Sequence, residues 1–136
     1  MERQYNYTLA QLIDRLSIVT LKSIKIPEGK NDYEIEASKI MADLDSWINE
    51  QGIGKVIRMI QVNGIVNEMI WANESKARKG EDQDLRLLKL THSLNRVRGQ
   101  AMAVIANHYG DAVDLKSDYM DSELTKQFGY DFSEII

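Results

Sequence analysis

"IGKVIRMIQVNGIVNEMIWANESKARK", residues 53 to 79, runs without a proline and without the strict alternation of a strand. Its apolar residues, Val56, Ile57, Met59, Ile60, Val62, Ile65, Val66, Met69 and Ile70, spread around a helical wheel instead of keeping to one face. That pattern predicts the central, most buried helix of a bundle. Along the same segment Asn63, Asn67, Trp71, Glu74 and Arg78 recur at steps of four, four, three and four, so they share one side of the helix.

The flanking segments are helical too. Thr8 with Gln11 makes a capping box, and Leu9, Leu12, Ile13, Leu16 and Val19 keep helical spacing until Pro27 forbids continuation, which predicts a helix over 8–25. "PEGKND" is a turn. Asn31 or Asp32 can then cap a helix over 32–50, with Tyr33, Ala37, Ile40, Met41, Leu44, Trp47 and Ile48 in one stripe and Gly52 as its C-terminal glycine. After a charged hinge with Gly80 as the stop and Asp82 or Asp84 as the cap, a fourth helix is expected over 84–108, with Leu87, Leu90, Leu94, Val97 and Ala101 on its core face. No strand pattern, internal repeat or low-complexity run interrupts this order. The expected class is all-α: a bundle of four main helices over 1–110, followed by an acidic, aromatic tail over 111–136. That tail should be short helices or irregular chain packing on the bundle or on a partner subunit.

Composition narrows the chemistry. The chain has 136 residues, 43% hydrophobic and 28% charged, enough for one sizeable core. Without cysteine there is no disulfide, thiolate nucleophile or zinc-thiolate site, and two histidines leave little for a metal centre. From Asp111 onward seven acids stand against two lysines, so the tail is acidic and the body nearly neutral. Neither supplies a basic groove for a phosphate backbone, and nucleic acid is not an expected partner. No stretch is apolar enough for a membrane span, and "MERQYNYT" lacks the layout of a signal peptide, so a cytoplasmic protein that binds no membrane is expected.

Polar residues recur on three helices. Asp14 and Lys22 share one side of the first, with Arg15 adjacent. Thr91, Asn95 and Arg98 line the fourth, with His92 and Arg96 beside them. A buried unpaired amide costs roughly 1 to 3 kcal/mol and an unpaired charge more, so stripes carried inward must meet one another or a ligand. Asparagines are poor helix formers, and Asn63, Asn67, Asn73 and Asn95 in mid-helix imply specific partners. Trp71 offers a flat surface for a base or sugar, although a tryptophan at helical spacing is more often core.

"LIDRLSIVTLKSIKI", "VNEMIWANESKAR" and "KLTHSLNRVRGQA" resemble, in that order, the signature segments of a family of small all-helical proteins from bacterial polysaccharide-biosynthesis loci and tailed-phage genomes. The shared runs are Leu-Ile-Asp-Arg-Leu-Ser-Ile, Asn-x-x-x-Trp-x-x-Glu-x-x-x-Arg and Leu-Asn-x-x-Arg, within residues 9–105. The resemblance implies a shared polar site at Asp14, Arg15, Lys22, Asn67, Trp71, Glu74, Arg78, Asn95 and Arg98, and no particular reaction. Where the pattern has an acidic pair after the tryptophan, this chain has Glu74-Ser75.

Three functions follow as expectations. The first is a non-catalytic binding protein for a small anionic, nucleotide-like ligand, with a phage protein that sequesters a host nucleotide signal as one form of it. In it Arg15, Lys22, Arg78 and Arg98 contact phosphate, Asn67 and Asn95 read a base or sugar edge, and Trp71 stacks. Asp14, Glu74 and His92 orient them, with no catalytic residue, metal or cofactor. The second is an interaction protein acting through its surface and tail. The third is a metal-dependent hydrolase like the all-helical nucleoside-triphosphate pyrophosphatases, for which the usable carboxylate pairs are Glu81/Asp84, Asp111/Asp114 and Asp118/Asp121. The near-continuously apolar third helix favours a homo-oligomer in each case.

Overall fold

Thr8 begins the ordered helical framework as the capping box requires: its Oγ1 accepts from the Gln11 N–H at 3.2 Å, and Gln11 Oε1 accepts from the Thr8 N–H at 2.9 Å. The structure, a computed structural model, describes residues 3, 5–79 and 85–110, and only the backbone of 77–79 and 85–88. The protein is an all-α helical bundle. Its elements are α1 (Leu9–Lys25), a single 3-10 turn (Pro27–Gly29), α2 (Lys30–Ile48), α3 (Ile53–Lys79) and α4 (Leu85–His108), with no strand among the described residues. Gly80, Asp82, Asp84 and the tail from Asp111 lie outside the described residues.

Two cap expectations are corrected. Neither Asn31 nor Asp32 caps α2, because the 3-10 turn begun by Pro27 runs straight into the helix at Lys30 and leaves Gly29 at the N-cap with no side-chain bond. Asp32 sits instead in the first turn, where its charge complements the helix dipole. At the other end α2 stops at Ile48, where Asn49 takes the left-handed conformation (φ 62°) that Gly52 was expected to supply. Gly52 (φ 90°) belongs to the following turn.

Asp45 fastens that turn: its carboxylate accepts from the Gly52 N–H at 2.9 Å and the Gly54 N–H at 2.6 Å, joining the last turn of α2 to the first turn of α3. Gly54 is buried against the backbone of α2, and a Cβ there would stand 2.7 Å from Met41 Cα. Only glycine allows this approach.

The chain divides into two compact units, residues 1–62 and 63–136. In the first, Leu12, Leu16 and Val19 of α1 pack against Ala37, Ile40 and Leu44 of α2, with Tyr5, Tyr7, Tyr33 and Ile57 at the rim. The spacing on α1 thus places its apolar face as expected. Buried Asp43 of α2 accepts from the Tyr5 N–H at 2.7 Å and pins the segment before α1 to the helix.

In the second unit α3 and α4 form an antiparallel hairpin. Arg98 reaches Asn67 and Thr91 reaches Asn73, so residue numbers fall along one helix as they rise along the other. Val66, Ile70, Leu94, Val97 and Ala101 are buried here. α3, expected to be the central and most buried helix, has Ile60, Gly64, Asn67, Glu68, Trp71 and Glu74 exposed along one face, and the opposite face carries the core. Apolar residues that spread around a wheel do not by themselves bury every side, since folded surfaces carry much apolar area. No helix among the described residues is long and apolar enough to cross a membrane.

Candidate functional site

Helix α1 turns the side chains of Arg15, Ile18, Val19 and Lys22 toward a cleft of about 230 Å³ whose far wall is Glu36 of α2. Arg15 and Lys22 are seven residues apart, two helical turns, so both reach the same side. The Arg15 guanidinium lies over the Tyr7 ring, 5.0 Å from its centroid, and Tyr7 stacks in turn on Tyr5 at 5.4 Å and 16°. Arg15 Nη2 donates to Glu36 Oε1 at 3.2 Å, while its Nε is shielded and meets no acceptor among the described residues. Lys22 Nζ lies 6.0 Å from the Tyr33 centroid, with no carboxylate within ion-pair distance among the described residues. The cleft thus holds two cations against one carboxylate. Burial, and then the Glu36 carboxylate, push the Tyr5 phenol up from 10.0, with the Arg15 charge pulling the other way.

Asp14, expected at the edge of the core, is exposed, and its carbonyl accepts from Ser17 Oγ at 2.6 Å. It therefore carries none of the desolvation cost that argued for an arginine partner. The neighbouring position is the one that meets the opposite charge, because one residue along a helix is about 100° around it.

The buried cation of this unit is Arg58 of α3, a residue outside the polar lines expected from spacing. It is 3% exposed and holds Glu34 of α2 through two bonds, Nη1 to Oε2 at 2.8 Å and Nη2 to Oε1 at 2.6 Å, with Nη2 also 3.3 Å from Ser23 Oγ. Burial alone would raise the Glu34 carboxyl, but the Arg58 hydrogen bond and charge, with help from Ser23 and Lys30, outweigh it and hold the group below its ordinary value. An arginine inside the apolar run Val56–Ile60 was the available signal. Beside this pair Gln61 donates to the Ile13 carbonyl at 3.1 Å, and its Oε1 lies 3.4 Å from Thr20 Oγ1. These groups bond chiefly to one another, with the Arg58 Nε left shielded and without an acceptor among the described residues, and they hold the unit together.

In the second unit the amides behave in three ways. Asn73 is buried and donates to Thr91 Oγ1 at 2.6 Å. Asn67 is exposed, and its Oδ1 accepts from Arg98 Nη1 at 3.4 Å. Asn63 Oδ1 is shielded and meets no donor among the described residues. The polar line of α3 expected to face inward is thus exposed from Asn67 through Glu74, and Trp71 is 66% exposed instead of core. Asn95, Arg98 and His92 are partly buried on α4. The hairpin brings Asn67 and Arg98 together, and the Arg78 side chain lies outside the described residues.

The carboxylate pairs expected of a hydrolase, Glu81/Asp84, Asp111/Asp114 and Asp118/Asp121, also lie outside the described residues. Among those described, no group of three or more His, Asp or Glu side chains is placed to hold a metal ion. No protein-family model matches the sequence, and comparison with curated proteins and with solved structures gives no match.

Proposed function

We propose that the protein binds a small anionic, nucleotide-like ligand and returns it unchanged. The observation that carries this reading is the α1–α2 cleft, where Arg15 and Lys22 face one space and Glu36 offsets only one of the two charges. Sequestration of a nucleotide signal, the use expected of a phage protein, requires binding of this kind and no turnover.

A panel of nucleotides, cyclic dinucleotides, ADP-ribose derivatives and nucleotide sugars tests it by melting-temperature shift. At least one compound should raise the melting temperature and be recovered intact after incubation with magnesium. Arg15→Ala should abolish the shift while leaving the helical circular-dichroism signal unchanged. Arg15→Lys should recover little, because an ammonium lacks the planar two-point grip of guanidinium. Turnover with magnesium would replace this reading with the hydrolase. Failure of the whole panel would put an interaction surface first, a reading favoured by the exposed Ile18 and Leu21 of α1.

A further inference from the structure

The geometry points to a phosphorylated sugar as the group held in the α1–α2 cleft, with Lys22 and Arg15 on the phosphoryl oxygens and Glu36 accepting from a sugar hydroxyl. The inference rests on the anionic-ligand reading and gives that ligand a chemical class.

Size and donor set carry it. A cleft of about 230 Å³ falls below the roughly 300 to 1,000 Å³ of sites that enclose drug-sized ligands, so it takes a part of a nucleotide and not the whole. Arg15 has one contact to Glu36, at 3.2 Å, and lies over the Tyr7 ring, and its Nη1 meets no acceptor among the described residues. Lys22 meets no carboxylate among the described residues. Both are donors that a phosphoryl group satisfies.

Glu36 makes an anion without a hydroxyl a poor fit. Its Oε1 is engaged by Arg15, Oε2 accepts no hydrogen bond among the described residues, and the residue lines the same space. A simple phosphate ester dianion would satisfy the cations and be repelled by this carboxylate. A ligand carrying a hydroxyl beside its phosphate satisfies donors and acceptor together. Ile18 and Val19 then supply an apolar wall for the C–H face of a sugar ring.

Titration calorimetry with ribose 5-phosphate, ethyl phosphate and inorganic phosphate on the full chain tests this. Ribose 5-phosphate should bind about tenfold more tightly than ethyl phosphate, the size of one hydrogen bond to a charged group. Glu36→Ala should remove that preference while binding ethyl phosphate no more weakly, a change of ratio that a merely structural role would not produce. Should Glu36→Ala fail to fold, Lys22→Ala at an exposed side chain should weaken all three compounds together. Equal binding of the three by the unaltered protein would overturn the hydroxyl role and leave the anion reading standing. Silence with all three while a nucleotide binds would overturn the cleft as the site, and silence with the nucleotides as well would remove the anion reading itself.

Discussion

Arg58 and Glu34 face each other through two parallel bonds of 2.8 and 2.6 Å, with the arginine almost wholly buried and the glutamate open to water at one edge. Removal of either partner therefore has unequal consequences. Glu34→Ala leaves a buried guanidinium with Ser23 as its remaining described neighbour, and chemical denaturation should show a loss of about 3 kcal/mol. The double variant Glu34→Leu/Arg58→Met should return to within about 1 kcal/mol of the parent, because an apolar pair of similar volume needs no compensation.

The same pair makes stability acid-sensitive. The folded-state carboxyl of Glu34 lies below its ordinary value of 4.5, so its contribution is complete above pH 4.5 and is lost as pH falls through the lower folded value. Melting temperature measured downward from pH 7 should decline below about 4.5, and Arg58→Met should flatten part of that decline.

Two glycines of α3 should respond to alanine with opposite signs. At Gly54 the new Cβ meets the Met41 backbone, which cannot give way, and the loss should be about 1 to 3 kcal/mol. At Gly64 nothing stands within 4 Å, so Gly64→Ala should gain about 0.5 to 1 kcal/mol from helix propensity alone. Thermal melts of the two variants read this directly.

Asp14→Ala should change stability by less than about 0.5 kcal/mol, as for an ordinary surface substitution. A loss of several kcal/mol in denaturant titration would mean that the carboxylate has the buried partner its apolar neighbours suggest.

What was legible in the sequence was local. The Thr8–Gln11 box and Pro27 mark the ends of α1 because each acts within a turn of chain. Asn49 in place of Gly52 shows the margin of such signals, since asparagine also tolerates the left-handed conformation. The ion pairs were not legible. Arg58 and Glu34 are 24 residues apart and Arg15 and Glu36 are 21 apart, and which side of a helix meets which is decided by packing of the apolar faces. The candidate residues Asn67 and Arg98 do meet, because helices joined by a short hinge pair antiparallel and bring such positions level.

Trp47 on α2 and Trp71 on α3 are the two tryptophans of the chain; both are exposed, and one falls in each compact unit. An indole in water emits at long wavelength and is open to collisional quenchers, so the native emission resembles that of the unfolded chain and is a weak monitor of denaturation. It is a sensitive monitor of coverage. Whatever settles on the α3 face will move the Trp71 emission to the blue and shield it from iodide, and a Trp47→Phe variant leaves that signal to a single residue.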